Sequence, residues 1–254
     1  MRKLLRFVCI LMAMLTLLPC VLAEESGDVA SLRGYEKKAG YVYLQMGTFP
    51  QTKEGEMLPI LWRVLSVKED QAFILSEYVL EARPLHGDYK QYANKATNKS
   101  KPGFNGDYTQ TDMAQYLNGD FMANFTEAEL ALITPDETLG MFYLLSGEDL
   151  KNAAYGFTSN ESRKAWGTEY ALNNGLFKYM ANRGSHSPYW TRSQSTTNKQ
   201  AARCIKSQGE LGYITVTTDD EGMRPACSLD LAQVEILSGA GTMEDPFVLV
   251  MPAE

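Results

Sequence analysis

Two short segments set the terms on which this chain can fold: Tyr189-Trp190-Thr191-Arg192-Ser193 and Gly222-Met223-Arg224-Pro225-Ala226. Each puts an arginine inside a strand-like stretch, beside a large ring or a proline. A guanidinium among apolar neighbours is costly to bury unless its N–H groups are paired. A fold that accepts both must therefore supply acceptors at fixed places. The two arginines lie about thirty residues apart, which points to two strands of one sheet with Arg192 and Arg224 as internal clamps and Trp190 packed beside the first.

The chain has 254 residues and a formal charge of −7. Residues 1–23 read as a secretory signal: Arg2, Lys3 and Arg6 form a basic start, Phe7 to Leu18 is an almost unbroken apolar run, and Val21-Leu22-Ala23 is a small-residue exit. The rival reading is an uncleaved anchor, but Phe7 to Leu22 is short for a bilayer span. Pro19 before Cys20 is wrong for a lipoprotein site. Losing the signal takes the charge from −7 to −10. Such an acidic chain lacks the Lys and Arg field that phosphate neutralisation needs, so nucleic acid is excluded as a partner. No membrane span is expected after cleavage. The expected location is secreted or cell-surface, outside the cytoplasm.

Residues 24–39 read as a flexible leader and 40–254 as one domain with a closing strand, Phe247 to Val250. Ile60 to Val67 and Ala72 to Ser76 read as a buried hairpin, with Trp62 in its core. Residues 86–110 lack apolar periodicity and read as a long loop. Thr111 caps a helix carrying Met113, Tyr116 and Leu117. Thr126 with Glu129 forms a capping box, flanked by Phe125 and Leu130 as a staple. Met141 to Leu145 reads as a strand, and Thr168 to Met180 contains a short helix. Strands at Tyr189 to Arg192, Ala201 to Lys206, Tyr213 to Thr217 and Met223 to Leu229 follow. Strands at both ends with helices between them describe an α+β domain with antiparallel sheets, short helices and long irregular loops. After signal removal only Cys204 and Cys227 remain. An even pair in an oxidising compartment reads as a disulfide staple between neighbouring strands.

Gly47-Thr48-Phe49-Pro50-Gln51, Pro59 to Leu65, Tyr116 to Phe121, Phe125 to Glu129, and the two arginine segments occur in this order. Together they resemble a bacterial family of exported domains of unknown function, marked by F-G-x-Y/F-P-Q, P-I-x-W-x-V-L, W-L-N-x-x-F, W-L-R-S and G-V-R-P-A. The resemblance covers roughly residues 41–231. It implies a C-type-lectin-like fold, related to that of formylglycine-generating enzymes, and names no activity. Tyr189, Thr191 and Cys227 depart from the usual residues of that pattern.

The Glu-Pro-Asn or Gln-Pro-Asp loop and Trp-Asn-Asp strand of calcium-dependent lectins are missing, and Asp219-Asp220-Glu221 reads as a solvated turn without the spacing of a calcium cage. His86 and His186, the two histidines, are 100 positions apart with no ligand-spaced partner, so no metal or cofactor is expected. Cys204 and Cys227 are too far apart in sequence for formylglycine-generating chemistry. Trp166, in a polar loop-like setting, would line a recognition face with Tyr89, Tyr92, Phe104 and Tyr108; those rings would equally anchor the long loop to the domain. The expected function is an exported, non-catalytic binding module for a glycan or a protein. A hydrolase or modifying enzyme on the same fold, or a structural protein of the cell envelope, stands as the alternative.

Overall fold

The computed structural model describes residues 40–87, 106–178, 186–196, 198 and 200–250. The expected signal and leader, and residues 88–105 of the long loop, lie outside them. The architecture is mixed α+β, dominated by two sheets with a few short helices and irregular connections.

The larger sheet contains β1 (Tyr43–Pro50), β2 (Met57–Lys68), β3 (Gln71–Ser76), β5 (Ile133–Thr134), β6 (Tyr143–Leu144), β11 (Pro225–Asp230), β12 (Glu235–Ser238) and β13 (Phe247–Val250). Its order is β12-β13-β1-β2-β3-β11-β5, with β6 also paired to β11. The smaller sheet contains β4 (Glu81–Ala82), β7 (Tyr189–Gln194), β8 (Ala201–Ile205), β9 (Leu211–Thr215) and β10 (Gly222–Met223), in the order β4-β10-β7-β8-β9. Pairing is antiparallel except at two places. The closing strand β13 lies parallel to β1, and β10 lies parallel to β7.

The hairpin β2–β3 turns through Glu69-Asp70, with Lys68 opposite Gln71 and Glu69 in the left-handed region at φ 52°. Its apolar residues are nearly continuous because the middle of β2 is covered on both faces: Ile60, Trp62, Arg63, Val64 and Leu65 are all buried. Trp62 donates its indole N–H to the Met46 carbonyl at 2.8 Å and stacks on Phe142. Phe142 also meets Phe121 edge-on and packs on Phe125.

The helices are short and firmly capped. Thr111 accepts from the Ala114 N–H at the start of α1 (Asp112–Leu117). Thr126 and Glu129 form the capping box of α2 (Glu127–Ala131), and Glu129 also accepts from the Gly47 N–H at 2.7 Å, tying this helix to β1. Ser159 and Thr168 cap α3 (Asn160–Arg163) and α4 (Glu169–Asn173).

Three sequence expectations need correction. Met223 to Leu229 is not one strand. It breaks at Arg224, where the chain leaves the smaller sheet as β10 and joins the larger one as β11. Pro225 has no N–H to continue a ladder, and it opens the new strand. Met141 to Leu145 keeps only two residues of strand, because Asn118 claims its neighbours: the side-chain oxygen accepts from the Met141 and Phe142 N–H groups, and the amide nitrogen donates to the Phe142 carbonyl. Cys204 and Cys227 are free and buried, one in β8 and the other in β11. They belong to different sheets, so the expected staple is not formed.

The two arginines occupy different environments. Arg224 is 1% exposed; its Nε donates to the Ser76 carbonyl at 2.8 Å and one Nη to the Tyr189 hydroxyl at 3.3 Å. It therefore ties the end of β3 to β7 across the gap between sheets. Arg192 is partly exposed, donating to the Leu144 carbonyl at 2.7 Å and pairing with Asp149 at 2.8 Å. A third arginine had no sequence signal: Arg63 is buried and grips both carboxylate oxygens of Glu77. Burial pushes the Glu77 carboxyl up, but the Arg63 guanidinium, helped by Arg224, outweighs it and holds the carboxyl below its ordinary value.

Arg224→Ala should cost roughly 3 kcal/mol or more, from a cavity and the buried Ser76 carbonyl losing its guanidinium donor, while the Tyr189 hydroxyl still donates to the Arg163 carbonyl. Arg192→Ala, at a partly solvated pair, should cost about 1 kcal/mol. Guanidinium denaturation of both variants checks the ranking, and equal losses would contradict it.

Candidate functional site

At one end of the smaller sheet, the chain segments around β8, β9 and β10 enclose a cleft of about 390 Å³, within the usual range of ligand sites, about 300–1,000 Å³. Its walls come from Phe177 after α4, Pro188 before β7, Cys204 on β8, the Lys206–Glu210 turn, Tyr213 and Ile214 on β9, and Asp220-Glu221 before β10.

Local hydrogen bonding fixes each wall. The Phe177 N–H donates to the Asp220 carbonyl at 2.8 Å, so the segment after α4 and the approach to β10 move together. The β8–β9 turn closes through Lys206 N–H to Glu210 O and Gly209 N–H to Lys206 O. Gly209, at φ +82°, presses on α3: an added Cβ would sit 1.9 Å from the Asn160 carbonyl oxygen, and Arg163 Nε donates to the Gly209 carbonyl. Gly222 is also required. A Cβ there would lie 2.0 Å from Val79 Cγ1 and 3.0 Å from the Pro188 carbonyl. Only glycine lets β10 pass this close, and that passage sets the position of Glu221 beside it.

Glu221 is the unusual member. It is 5% exposed, and its Oε2 has no hydrogen-bond partner. Burial, with Asp220 adding to it and Lys206 opposing, pushes its carboxyl up to about 8. At neutral pH it is therefore mainly protonated and can donate as well as accept. The cleft also offers two well-exposed rings, Phe177 at 43% and Tyr213 at 46%. Burial, with Glu221 adding to it, raises the Cys204 thiol far above its ordinary value, so it is a small packing group rather than a nucleophile.

The residues expected to form a recognition face are not brought together here. Tyr89, Tyr92 and Phe104 lie outside the described residues. Tyr108 is buried, and its hydroxyl accepts from the Leu144 N–H at 3.2 Å, so it anchors the end of the long loop instead of facing a ligand. Trp166 is 44% exposed and packs against the His186 ring at 4.4 Å. The acidic triplet is not a uniformly solvated turn, since Glu221 points its burden inward while Asp219 stays exposed. Phe177 went unread and Glu221 was read only as part of a solvated turn, because neither sits in a periodic pattern; the one available signal was Glu221 standing directly before the strand-like Gly222-Met223. Among the described residues no group of His, Cys, Asp and Glu is arranged to hold a metal ion, and no helix is long and apolar enough to cross a membrane.

Residues 69–231 match the model of a family described as a domain of unknown function (DUF6273). The matched span includes both arginine segments and the cleft, and it leaves out the Gly47 to Gln51 and Pro59 to Leu65 motifs. No curated protein and no solved structure matches the chain.

The raised Glu221 carboxyl has a consequence for stability. Between its ordinary value, 4.5, and about 8 the folded chain holds this proton and the unfolded chain does not. Its contribution is fully present below 4.5 and is lost as pH rises through 8. Relative to the parent, Glu221→Gln should thus gain stability between pH 5 and 8, by up to about 1.4 kcal/mol per unit. Thermal melts of both proteins across that range check this; a constant gap would contradict it.

Proposed function

The chain belongs to this family of unknown function, and from that premise we propose that it is an exported, non-catalytic binding module of C-type-lectin-like fold that holds a glycan in the Glu221 cleft. The observation that carries the reading is the buried carboxyl of Glu221, a residue that lines the cleft and whose Oε2 has no hydrogen-bond partner, beside the exposed rings of Phe177 and Tyr213. An orphaned buried polar atom is costly, by about 1–3 kcal/mol, and a ligand group that pairs with it recovers that cost on binding. Sugars present hydroxyl groups to such an atom and apolar C–H faces to rings like Phe177 and Tyr213. Two sheets, short capped helices and long irregular connections support the lectin-like assignment. The basic start and apolar run of residues 1–23 support export.

One observation favours an enzyme instead. Asp220 and Glu221 share the cleft, and Glu221 holds its proton at neutral pH, so a carboxylic acid able to donate stands beside a second carboxyl group, as a hydrolase needs. A hydrolase would consume the bound glycan, which a binding module leaves intact.

A glycan array on the mature protein, followed by calorimetry on the best ligand, tests the assignment. Phe177→Ala and Tyr213→Ala should each weaken binding about 3- to 10-fold while the ligand stays unmodified. Binding untouched by either substitution would move the site elsewhere. Cleavage of the ligand would establish the enzyme, and silence on the array with capture of a protein ligand would overturn the glycan reading.

A further inference from the structure

We propose that the Glu221 cleft selects sugars that carry a free primary amino group, the ammonium donating to the Glu221 carboxylate while the ring lies against Phe177 and Tyr213. This rests on the glycan reading above and narrows it to one chemical class.

The geometry supplies three reasons. First, Glu221 Oε2 is buried without a partner, and once the carboxyl gives up its proton it can only accept, so the best partner of the ionised form is a group rich in N–H donors. A charge-assisted bond of this kind is about twice as strong as one from a neutral hydroxyl. Second, the ionisable groups around the cleft lean negative: Asp220 and Glu210 join Glu221 against Lys206. Third, Lys206 leaves the place open. Its stem lies across Gly212, where an added Cβ would come within 2.5 Å of Lys206 Cε, and its residue is exposed. It weakens the hold of Glu221 on its proton without pairing with Oε2.

The proton balance follows. Before binding, Glu221 is neutral at neutral pH, kept so by burial and by Asp220, with Lys206 opposing. An arriving ammonium replaces that proton as the partner of the carboxylate, and the proton leaves to solvent. Where the pH is low enough that the free ligand is already an ammonium, the ligand keeps all its own protons, so one proton is released for each amino sugar bound. A neutral sugar releases none, because it bonds to the protonated carboxyl as it stands.

Three oligosaccharides of equal length and linkage, differing only in carrying an ammonium, an acetamide or a hydroxyl at C2, make the test. Titration calorimetry at pH 5.5, where the C2 amine is an ammonium and Glu221 still holds its proton, in two buffers of different ionisation enthalpy, reads both affinity and protons released. The ammonium oligomer should bind at least about tenfold tighter than the other two and release about one proton. In Glu221→Gln, checked for folding by its thermal melt, the three should come within about threefold of each other and proton release should vanish. The parent series and its proton count stand without the variant, should the variant not fold. Equal affinities in the parent, a preference for acetamide or hydroxyl, or tight ammonium binding with no proton released would each overturn the amino-sugar inference while leaving the glycan reading in place. Failure of all three oligomers alongside a silent glycan array would overturn both.

Discussion

The buried Arg224 guanidinium is the constraint on which the rest of this structure depends. It sits where the chain passes from the smaller sheet to the larger, between β10 and β11, and it binds the end of β3 and the Tyr189 hydroxyl of β7 at once. A cation at 1% exposure needs a compensating charge nearby. Glu77 attracts it, but Glu77 is gripped by Arg63, whose own charge repels Arg224, so burial leaves the Arg224 guanidinium below its ordinary value and one Nη without a hydrogen-bond partner. One guanidinium thus bonds the Glu77 carboxylate and a second feels it through space, in the seam between sheets. Removing either neighbour of that carboxylate leaves ionic groups buried with fewer partners, so the seam resists small changes more than an apolar contact would.

The cleft inherits its precision from this seam. Glu221 is three residues before Arg224, with Gly222 pressed against Val79 between them. The brace fixes β10, β10 fixes Glu221, and Phe177 is tied to the same approach through the Asp220 carbonyl. The opposite wall is held separately, by Gly209 docked on α3. A cleft built on sheet ends and a pinned turn keeps its shape by itself, which would lower the ordering cost of binding any ligand.

What could be read beforehand divides along the same line. Caps, hairpin and core strands follow local rules, and Thr111, Thr126 with Glu129, and the β2–β3 pair appear where spacing and composition placed them. The break at Arg224 was not legible, because an arginine before a proline in a strand-like run looks the same whether the strand continues or changes sheet. The Arg63–Glu77 pair joins residues 14 apart across a hairpin, and no local pattern marks such a contact. Cys204 and Cys227 misled for the opposite reason. Their even number suggested a bonded pair, but only the topology reveals that they sit in separate sheets. Trp166 was readable as an exposed ring from its polar flanks, whereas Phe177 and Glu221 meet only once the sheets are assembled.

The attraction between Glu77 and Arg224 is open to a direct measurement. A double-mutant cycle on Glu77→Gln and Arg224→Leu, read by denaturant unfolding, separates their coupling from their individual losses. The account predicts that the two are coupled by about 1–3 kcal/mol, with the double variant more stable than the sum of the single losses implies. Additivity within about 0.5 kcal/mol would contradict it, showing that Arg224 is held by its neutral acceptors alone.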